Sequence, residues 1–332
     1  MSALRWRLYK LLRAKTVPPQ GIYLEITDRC NMSCPMCNTR DHRETGAPLL
    51  DREEIRDRLL LPGRALGFAN LTISGGEPTL APHLDAVIED AAGMGYRVFL
   101  ASNILRWEEG LWRRLLALMD DPRHTVLASY DSAEASEMNA IRGGDVFSRV
   151  TPHCKALARL RSELRAGTRL AAAMILQPIN AGSLSKTARF VLGDIGFDKL
   201  LIQLRHDYSL VTFRNYRRQA RAKRYSPEEK AALLRASALA FDMAAADPRI
   251  LPVRGTLDDW RAFYDDPLTI RRICDSTAFV FVDPYGNLRG CISGGRLDNI
   301  RKSSIAEYLK SRRYRRFLLF ARICNICTHG CS

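Results

Sequence analysis

The chain has 332 residues, of which 46% are hydrophobic and 26% are charged, and its formal net charge is +15 at pH 7. This length and composition are typical of a globular protein with one large α/β domain and a small appendage, or with two ordinary domains, and they exclude a low-complexity polypeptide. The charge is compatible with nucleic acid, an anionic membrane or an acidic substrate as a partner, and it does not discriminate among them.

Residues 1–20 are predicted to form a basic amphipathic helix that ends in a Pro-Pro break. Leu4, Leu8, Leu11 and Leu12 recur at helical spacing among Lys and Arg residues, unlike the continuous apolar core of a signal peptide. No apolar run in the chain has the length and purity of a membrane span, so we expect a cytoplasmic protein. The helix is expected to pack across the bottom of the barrel rather than on an anionic membrane face, although peripheral membrane contact stays open.

From residue 21 to about residue 204, short apolar strands alternate with helical segments, which is typical of parallel βα units. The predicted strands are 21–27, 70–74, 97–102, 125–130, 169–177 and 199–204, and the predicted helices are 51–60, 82–94, 109–118, 152–165 and 185–192. Six such repeats favour a partial (β/α)6 TIM-like barrel, with an open doubly wound sheet as the alternative. In such folds the chemistry collects in loops after the carboxyl ends of the strands.

The pattern changes beyond residue 204. Residues 205–224 are rich in Lys and Arg, which either bind anionic groups of a substrate or form a solvated helical face. A capped helix then runs to about residue 246, where the core domain (21–246) is predicted to end. Residues 247–272 are predicted to be an irregular connecting segment. A small domain over 273–332 is expected to contain a hairpin (278–282 and 288–291), a helix (304–309) and a cysteine-rich tail.

Three cysteines follow the first predicted strand with the spacing C-x3-C-x2-C: Cys30, Cys34 and Cys37. Three thiolates on one short loop can each bind one iron of a cubane cluster, which leaves the fourth iron open to a small molecule. A zinc site would need a fourth ligand, and His42 is near enough in sequence to serve as one. In a reducing compartment disulfides are not expected, and the number of cysteines, nine, is odd.

The cysteine loop resembles that of the radical S-adenosylmethionine (SAM) superfamily, with Met36 where the family more often has an aromatic residue. Ile73–Pro78 resembles the family's Gly-Gly-Glu-Pro segment, and residues 128–132 with Ile141-Arg142-Gly143 resemble its fourth-strand segment. The resemblance covers roughly residues 20–205. It implies a SAM-binding [4Fe–4S] cluster on the three cysteines and SAM contacts by Gly75, Gly76, Glu77, Asn103, Ser129, Asp131 and Arg142, with Asn180 as a further polar neighbour.

A second group of cysteines lies after residue 273. From spacing alone, a hairpin and a C-x2-C pair can bind either zinc or a second iron–sulfur cluster. The segment resembles the SPASM/twitch extension of radical SAM enzymes, in its one-cluster twitch form, because the sequence has too few cysteines beyond this point for the longer form. That resemblance implies an auxiliary [4Fe–4S] cluster on Cys274, Cys291, Cys324 and Cys327. Cys331 is then a spare ligand or a hydrogen-atom donor, and Cys154 an ordinary buried residue.

The resemblance implies an oxidoreductase that takes a hydrogen atom from a small, possibly anionic substrate of the sugar or aminocyclitol kind, with the auxiliary cluster as electron acceptor. The expected electron donor is a flavodoxin or a ferredoxin. A ribosomal-peptide maturase ranks second, since only about 20 residues precede the core; a redox-neutral epimerase, RNA modification and a non-catalytic iron–sulfur carrier also stay open. No DNA partner is expected, and no acid–base residue is assigned among His206, Asp207, Tyr208 and Cys331.

Overall fold

The computed structural model describes residues 18–37, 47–205, 214–215, 217–218, 225–253, 255–266, 274–322 and 324. Within these ranges the helices are too short or too polar for any of them to cross a membrane. Some predictions fall outside the described residues: residues 1–17 of the predicted N-terminal helix, His42, the candidates His206, Asp207 and Tyr208, and the tail cysteines Cys327 and Cys331.

Ten strands form one sheet in the order β10-β9-β8-β1-β2-β3-β4-β5-β6-β7. The strands β1 to β8 run parallel to one another, whereas β9 is antiparallel to both β8 and β10. Their bounds are Gly21–Thr27 (β1), Asn70–Gly75 (β2), Arg97–Ser102 (β3), Thr125–Ser129 (β4), Arg169–Leu176 (β5), Lys199–Leu204 (β6), Ile250–Pro252 (β7), Phe279–Val282 (β8), Asn287–Arg289 (β9) and Arg296–Asn299 (β10). The predicted α/β class with a parallel sheet is therefore confirmed.

The helices connect the parallel strands and cover one face of the sheet. They are 52–65 (α1, with a π-helical turn at Arg56–Leu60), Leu84–Gly93 (α2), Glu109–Leu118 (α3), Ala135–Arg142 (α4), Phe147–Leu164 (α5), 184–195 (α6, with a π-helical turn at Phe190–Ile195), Pro227–Ala246 (α7), Leu257–Asp265 (α8), Ile305–Lys310 (α9) and Arg312–Ala321 (α10). Single 3-10 turns occur at Pro78–Leu80, Pro178–Asn180 and Asp275–Ala278.

Alternate residues of the parallel strands point to opposite faces, and the two faces differ in composition. On the helix-covered face, Leu24, Ile73, Leu100 and Val126 are all at most 1% exposed and form the core with the apolar sides of the helices. The opposite face of β1 to β7 lines a cavity instead, so the sheet curves around an open interior. Burial of the first face therefore stabilises the fold, while the second face is available to a ligand.

The structure differs from the predicted elements mainly after residue 246. Residues 247–272, predicted to be irregular, contain β7, which extends the parallel sheet, and α8, which begins at a Thr256–Asp259 capping box and buries Trp260 completely. The hairpin strand β8 pairs with β1, so the C-terminal segment continues the same sheet rather than forming a separate one. The missed strands have three or four residues each, too few for a periodic sequence pattern to show. Helices α4 and α10 were also not predicted.

Candidate functional site

The three cysteines of the loop after β1 line one cavity of about 240 Å³ at the carboxyl ends of the strands. We call it the cysteine cavity. The backbone N–H of Met32 donates to Cys30 Sγ at 3.4 Å, and the guanidinium of Arg142 interacts with the thiol of Cys34. Burial raises the pKa of both Cys30 and Cys34, and for Cys34 the charge of Arg142 opposes that rise. The guanidinium of Arg142 and the N–H of Met32 thus face sulfur atoms that would carry negative charge as thiolate ligands.

The cysteine loop lies directly against Gly75, the last residue of β2, and Gly76, the residue after it. A Cβ on Gly76 would come within 2.1 Å of the carbonyl oxygen of Arg29, so only glycine fits this approach of the two loops. The N–H of Gly76 donates to the carbonyl of Thr27 at 2.8 Å, and that of Glu77 donates to Arg29 at 2.7 Å. The close contact explains why two adjacent glycines follow this strand: the backbones of both loops form one wall of the cysteine cavity.

The carboxylate of Glu77 connects the end of β2 to the end of β3. It accepts hydrogen bonds from Thr79, from Ser102 Oγ at 2.7 Å and from the backbone N–H of Asn103 at 2.7 Å. Burial raises its pKa, and these hydrogen bonds oppose the rise. The Asn103 side chain in turn donates to Asn31 Oδ1 at 2.8 Å, inside the cysteine loop. Glu77 and Asn103 both line the cysteine cavity and position its loops.

A buried ion pair joins Asp131, after β4, to Arg142 at the end of α4. The Asp131 carboxylate also accepts a hydrogen bond from the N–H of Ile175 at 2.7 Å and is completely buried. Arg142 lines the cysteine cavity, whereas Asp131 is not among its lining residues. Asn180 is completely buried and donates to the carbonyls of Asp131 and Ile175, so it braces the loop rather than lining the cavity. Asp131 and Asn180 therefore support the site indirectly. Asp131 holds Arg142, and Asn180 holds the loop at the end of β5.

A second and larger space, the central cavity, has a volume of about 750 Å³ and is lined by side chains from every strand between β1 and β7. It shares five residues with the cysteine cavity, so the two spaces adjoin: Ala101, Ser129, Arg142, Ile175 and Gln203. Of these, only Ser129 and Arg142 were predicted from the sequence. Gln203 and Ile175 lie on the inward face of strands that carry no motif, and their alternation with buried residues is the signal that would have pointed to them.

The donor set of the cysteine cavity consists of three thiols from one loop. In the part of the chain that the structure describes, no three Cys, His, Asp or Glu side chains come close enough together to bind one ion. Each thiolate of a cubane binds its own iron, so the three sulfur atoms need to surround a cluster rather than meet at a point. Three thiols that line one cavity are the three protein ligands that the predicted [4Fe–4S] group needs, and the rest of the cavity has room for a small molecule.

Three of the four predicted auxiliary ligands are described: Cys274 lies before β8, Cys291 follows β9 and Cys324 follows α10, and all three are half-buried. The rings of Tyr308 and Tyr314 in the same C-terminal segment contact each other, with centroids 5.0 Å apart. Burial raises the pKa of both tyrosines, and Cys291 and Cys274 respectively add to that effect. Both thiols therefore lie near the same aromatic pair. Cys154, by contrast, is completely buried in α5, as predicted for an ordinary core residue.

At the opposite edge of the site, Arg205 lines the cysteine cavity and donates to Gln177 at 3.2 Å, so the predicted basic stretch begins at the site.

Sequence reasoning missed a buried cluster of charged side chains between β1 and the C-terminal hairpin. There Arg289 donates to Asp283 at 3.0 Å and lies 3.7 Å from Glu25, and burial raises the pKa of Glu25 to about 7. No local motif marks Glu25, because its charged partners lie more than 250 residues away in the chain.

Comparison with known proteins agrees with this geometry. Residues 24–164 match the Radical SAM superfamily. The chain is 30% identical over 166 residues to GTP 3′,8-cyclase 2 of Mycobacterium tuberculosis, covering 45% of each protein. It is also 32% identical over 130 residues to PqqA peptide cyclase of Methylobacterium nodulans, covering 39% of this chain and 33% of that protein. The chain thus matches less than half the length of these curated relatives.

Two solved structures share the fold. Streptococcus suis SuiB bound to S-adenosylmethionine superimposes with a TM-score of 0.65 at 14% identity, over 98% of this chain and 74% of SuiB. The enzyme anSMEcpe with bound AdoMet gives a TM-score of 0.64 at 16% identity, over 93% of this chain and 88% of that one. At these identities the likeness concerns the fold. The SPASM/twitch resemblance stays a prediction. The family match, however, covers the cysteine loop, the glycine segment and the β4 to α4 residues together, which are the segments that build the cysteine cavity.

Proposed function

We propose that this protein is a radical SAM enzyme whose substrate binds in the central cavity. Cys30, Cys34 and Cys37 hold the [4Fe–4S] cluster, and SAM binds beside it in the cysteine cavity. The observation that carries the proposal is the continuity of the two cavities, since a radical formed in the first meets a substrate in the second without crossing solvent. The curved parallel sheet then serves as the predicted partial (β/α)6 barrel around the substrate.

A [4Fe–4S] cluster held by Cys30, Cys34 and Cys37 would supply the electron for reductive cleavage of SAM to methionine and a 5′-deoxyadenosyl radical, and that radical would take a hydrogen atom from the substrate. The chain's own residues hold the reactants in place. Glu77 fixes the loops after β2 and β3, Gly76 permits their close contact with the cysteine loop, and Arg142 places a positive charge beside Cys34. The electron donor is proposed to be a flavodoxin or a ferredoxin.

Formation of 5′-deoxyadenosine tests this proposal directly. The anaerobically reconstituted, dithionite-reduced protein should convert SAM to 5′-deoxyadenosine, measured by liquid chromatography and mass spectrometry. Cys34→Ala should abolish the product, because one iron loses its ligand, while Cys154→Ala removes a thiol outside the site and should leave it unchanged. Equal activity of Cys34→Ala and the unaltered protein would rule out the assigned cluster.

A two-electron oxidation of the substrate is the reaction we favour, with a second cluster on Cys274, Cys291, Cys324 and Cys327 as electron acceptor. The shared position of Cys274 and Cys291 beside Tyr308 and Tyr314 supports a common site. The variant with Cys30, Cys34 and Cys37 all changed to Ala should keep about four irons, against about eight in the unaltered protein. Retention of no iron would remove the acceptor and favour a redox-neutral reaction such as epimerisation, with Cys331 as hydrogen donor.

The relatives named above give no support to the sugar or aminocyclitol substrate expected from the sequence. A peptide substrate is our second candidate, because one of them is a PqqA peptide cyclase and the SuiB structure was also solved with a precursor peptide. This candidate is tested by incubating the reduced protein and SAM with any short peptide encoded beside its gene. A peptide that loses two hydrogen atoms in mass would establish it; an unchanged peptide would favour a small molecule.

A further inference from the structure

The central cavity has a charged end opposite the cysteine cavity. Arg97, Arg169 and Lys199 are the first residues of β3, β5 and β6, and Arg123 lies just before β4. All four line the central cavity, and none of them lines the cysteine cavity. Since parallel strands begin at the same edge of a sheet, these cations gather at the amino ends of the strands, one strand length from the candidate site of radical chemistry.

The nearby carboxylates do not neutralise this end of the cavity. Asp121 pairs with Arg123 at 2.8 Å, and Asp198 pairs with Arg161 and accepts the N–H of Leu170. Among the described residues, no carboxylate forms an ion pair with Arg97, Arg169 or Lys199. Three positive charges therefore remain at one end of a single cavity, and because they repel one another a bound anion would stabilise the folded protein.

Between the two ends the wall of the cavity is mainly apolar, and small residues keep it open. Barrel interiors are usually filled by layers of bulky branched side chains, but β3 and β5 contribute Ala101, Ala171 and Ala173 here. Tyr23 and Phe99 add apolar surface to the same wall. A strand of six residues rises ~20 Å, so a ligand that fills the cavity is elongated. The volume of about 750 Å³ lies in the range of small-molecule sites.

We propose that the ligand of the central cavity is an elongated small molecule with a largely apolar body and a terminal phosphate or carboxylate group, and that Arg97, Arg169 and Lys199 bind this anionic group. The identification of the ligand as the substrate rests on the proposed function. The anionic end then anchors the substrate at the amino ends of the strands, and the carbon that loses its hydrogen atom lies at the other end, beside Ser129 and Gln203.

Calorimetric titration at low ionic strength tests the site with defined probes: octyl phosphate, octanoate and the uncharged octanol. The reconstituted protein should bind one or both anions more tightly than octanol, and the preferred anion distinguishes a phosphate from a carboxylate ligand. The triple variant R97Q/R169Q/K199Q should weaken anion binding about tenfold, because three partly exposed ionic contacts are lost, with octanol unchanged. Failure of both anions to bind, or equal binding by the triple variant, would overturn the proposal.

Two matched variants separate the site from general effects of charge and folding. R149Q/R235Q/K310Q removes three exposed cations outside the cavity and should bind the probes like the unaltered protein. R97K/R169K/K199R keeps the charges and should retain binding. Binding of an acidic peptide but of none of the octyl probes would refute the small-molecule class.

Formation of 5′-deoxyadenosine is measured in the same variants. Its absence in the unaltered protein, together with loss of anion binding in R97Q/R169Q/K199Q, would preserve the anion site and reject the proposed function. Normal 5′-deoxyadenosine formation, together with probe binding that does not depend on the three cations, would preserve the proposed function and reject the anion site.

Discussion

Replacement of Glu25 by Gln should make the protein more stable at alkaline pH. Glu25 lies on β1, is 7% exposed and has Arg289 as its nearest opposite charge, 3.7 Å away. Arg289 is closer to Asp283, at 3.0 Å, and the Asp283 carboxylate also accepts hydrogen bonds from Tyr285 and Asn287. The positive charge is therefore already matched, and ionised Glu25 adds a second buried carboxylate to one guanidinium.

The size of the effect follows from the pKa of Glu25. Burial raises it from its ordinary value of 4.5 to about 7, with Arg289 opposing and Asp283 adding to the rise. The folded protein therefore holds a proton that the unfolded chain has released between about pH 4.5 and 7, so the free energy of unfolding falls as the pH rises through this window. At 1.36 kcal/mol per pKa unit, the loss between pH 5 and pH 8 is about 2 to 3 kcal/mol.

Urea unfolding of the unaltered protein and of Glu25→Gln at pH 5 and pH 8, followed by fluorescence of the buried Trp112 and Trp260, measures this difference. The variant should equal or slightly exceed the unaltered protein at pH 5 and exceed it by about 2 to 3 kcal/mol at pH 8. Glu53→Gln, at an exposed position on α1, should follow the unaltered protein at both values. Parallel pH dependence in the unaltered protein and Glu25→Gln would refute the reasoning.

Two further substitutions test the supports of the cysteine cavity. Asp131→Asn removes the charged partner of buried Arg142 and should lower the free energy of unfolding by about 3 to 5 kcal/mol. Chemical denaturation measures this difference, and a loss below ~1 kcal/mol would mean that the ion pair does not support the cavity. Gly76→Ala should abolish formation of 5′-deoxyadenosine, because its methyl group would lie 2.1 Å from the carbonyl oxygen of Arg29. Gly93→Ala is the control, since nothing lies within 4 Å of the added methyl group, and this variant should still form 5′-deoxyadenosine. Normal activity of Gly76→Ala would contradict the tight contact with Arg29.

The local features of the site were predictable from the sequence because each depends on a few consecutive residues. Cys30, Cys34 and Cys37 lie within one loop, and their spacing alone indicates a cluster. Alternation of apolar strands and helices predicted a parallel sheet. Because the loops after parallel strands all lie at the carboxyl edge of the sheet, the cysteines, Gly76 and Asn103 were expected at that edge. The structure brings all of these residues to one cavity.

Other properties of this protein were decided only by the tertiary structure, because they depend on residues that are far apart in the chain. The central cavity exists because inward residues of seven strands surround one space in which β3 and β5 contribute alanines, and its charged end exists because Arg97, Arg169 and Lys199 begin neighbouring or nearby strands. Glu25 meets Arg289 only because β8 pairs with β1 and carries the hairpin alongside it. Local spacing determines which ligands a loop can offer, whereas the shape and charge of a binding site depend on how the strands are arranged in space.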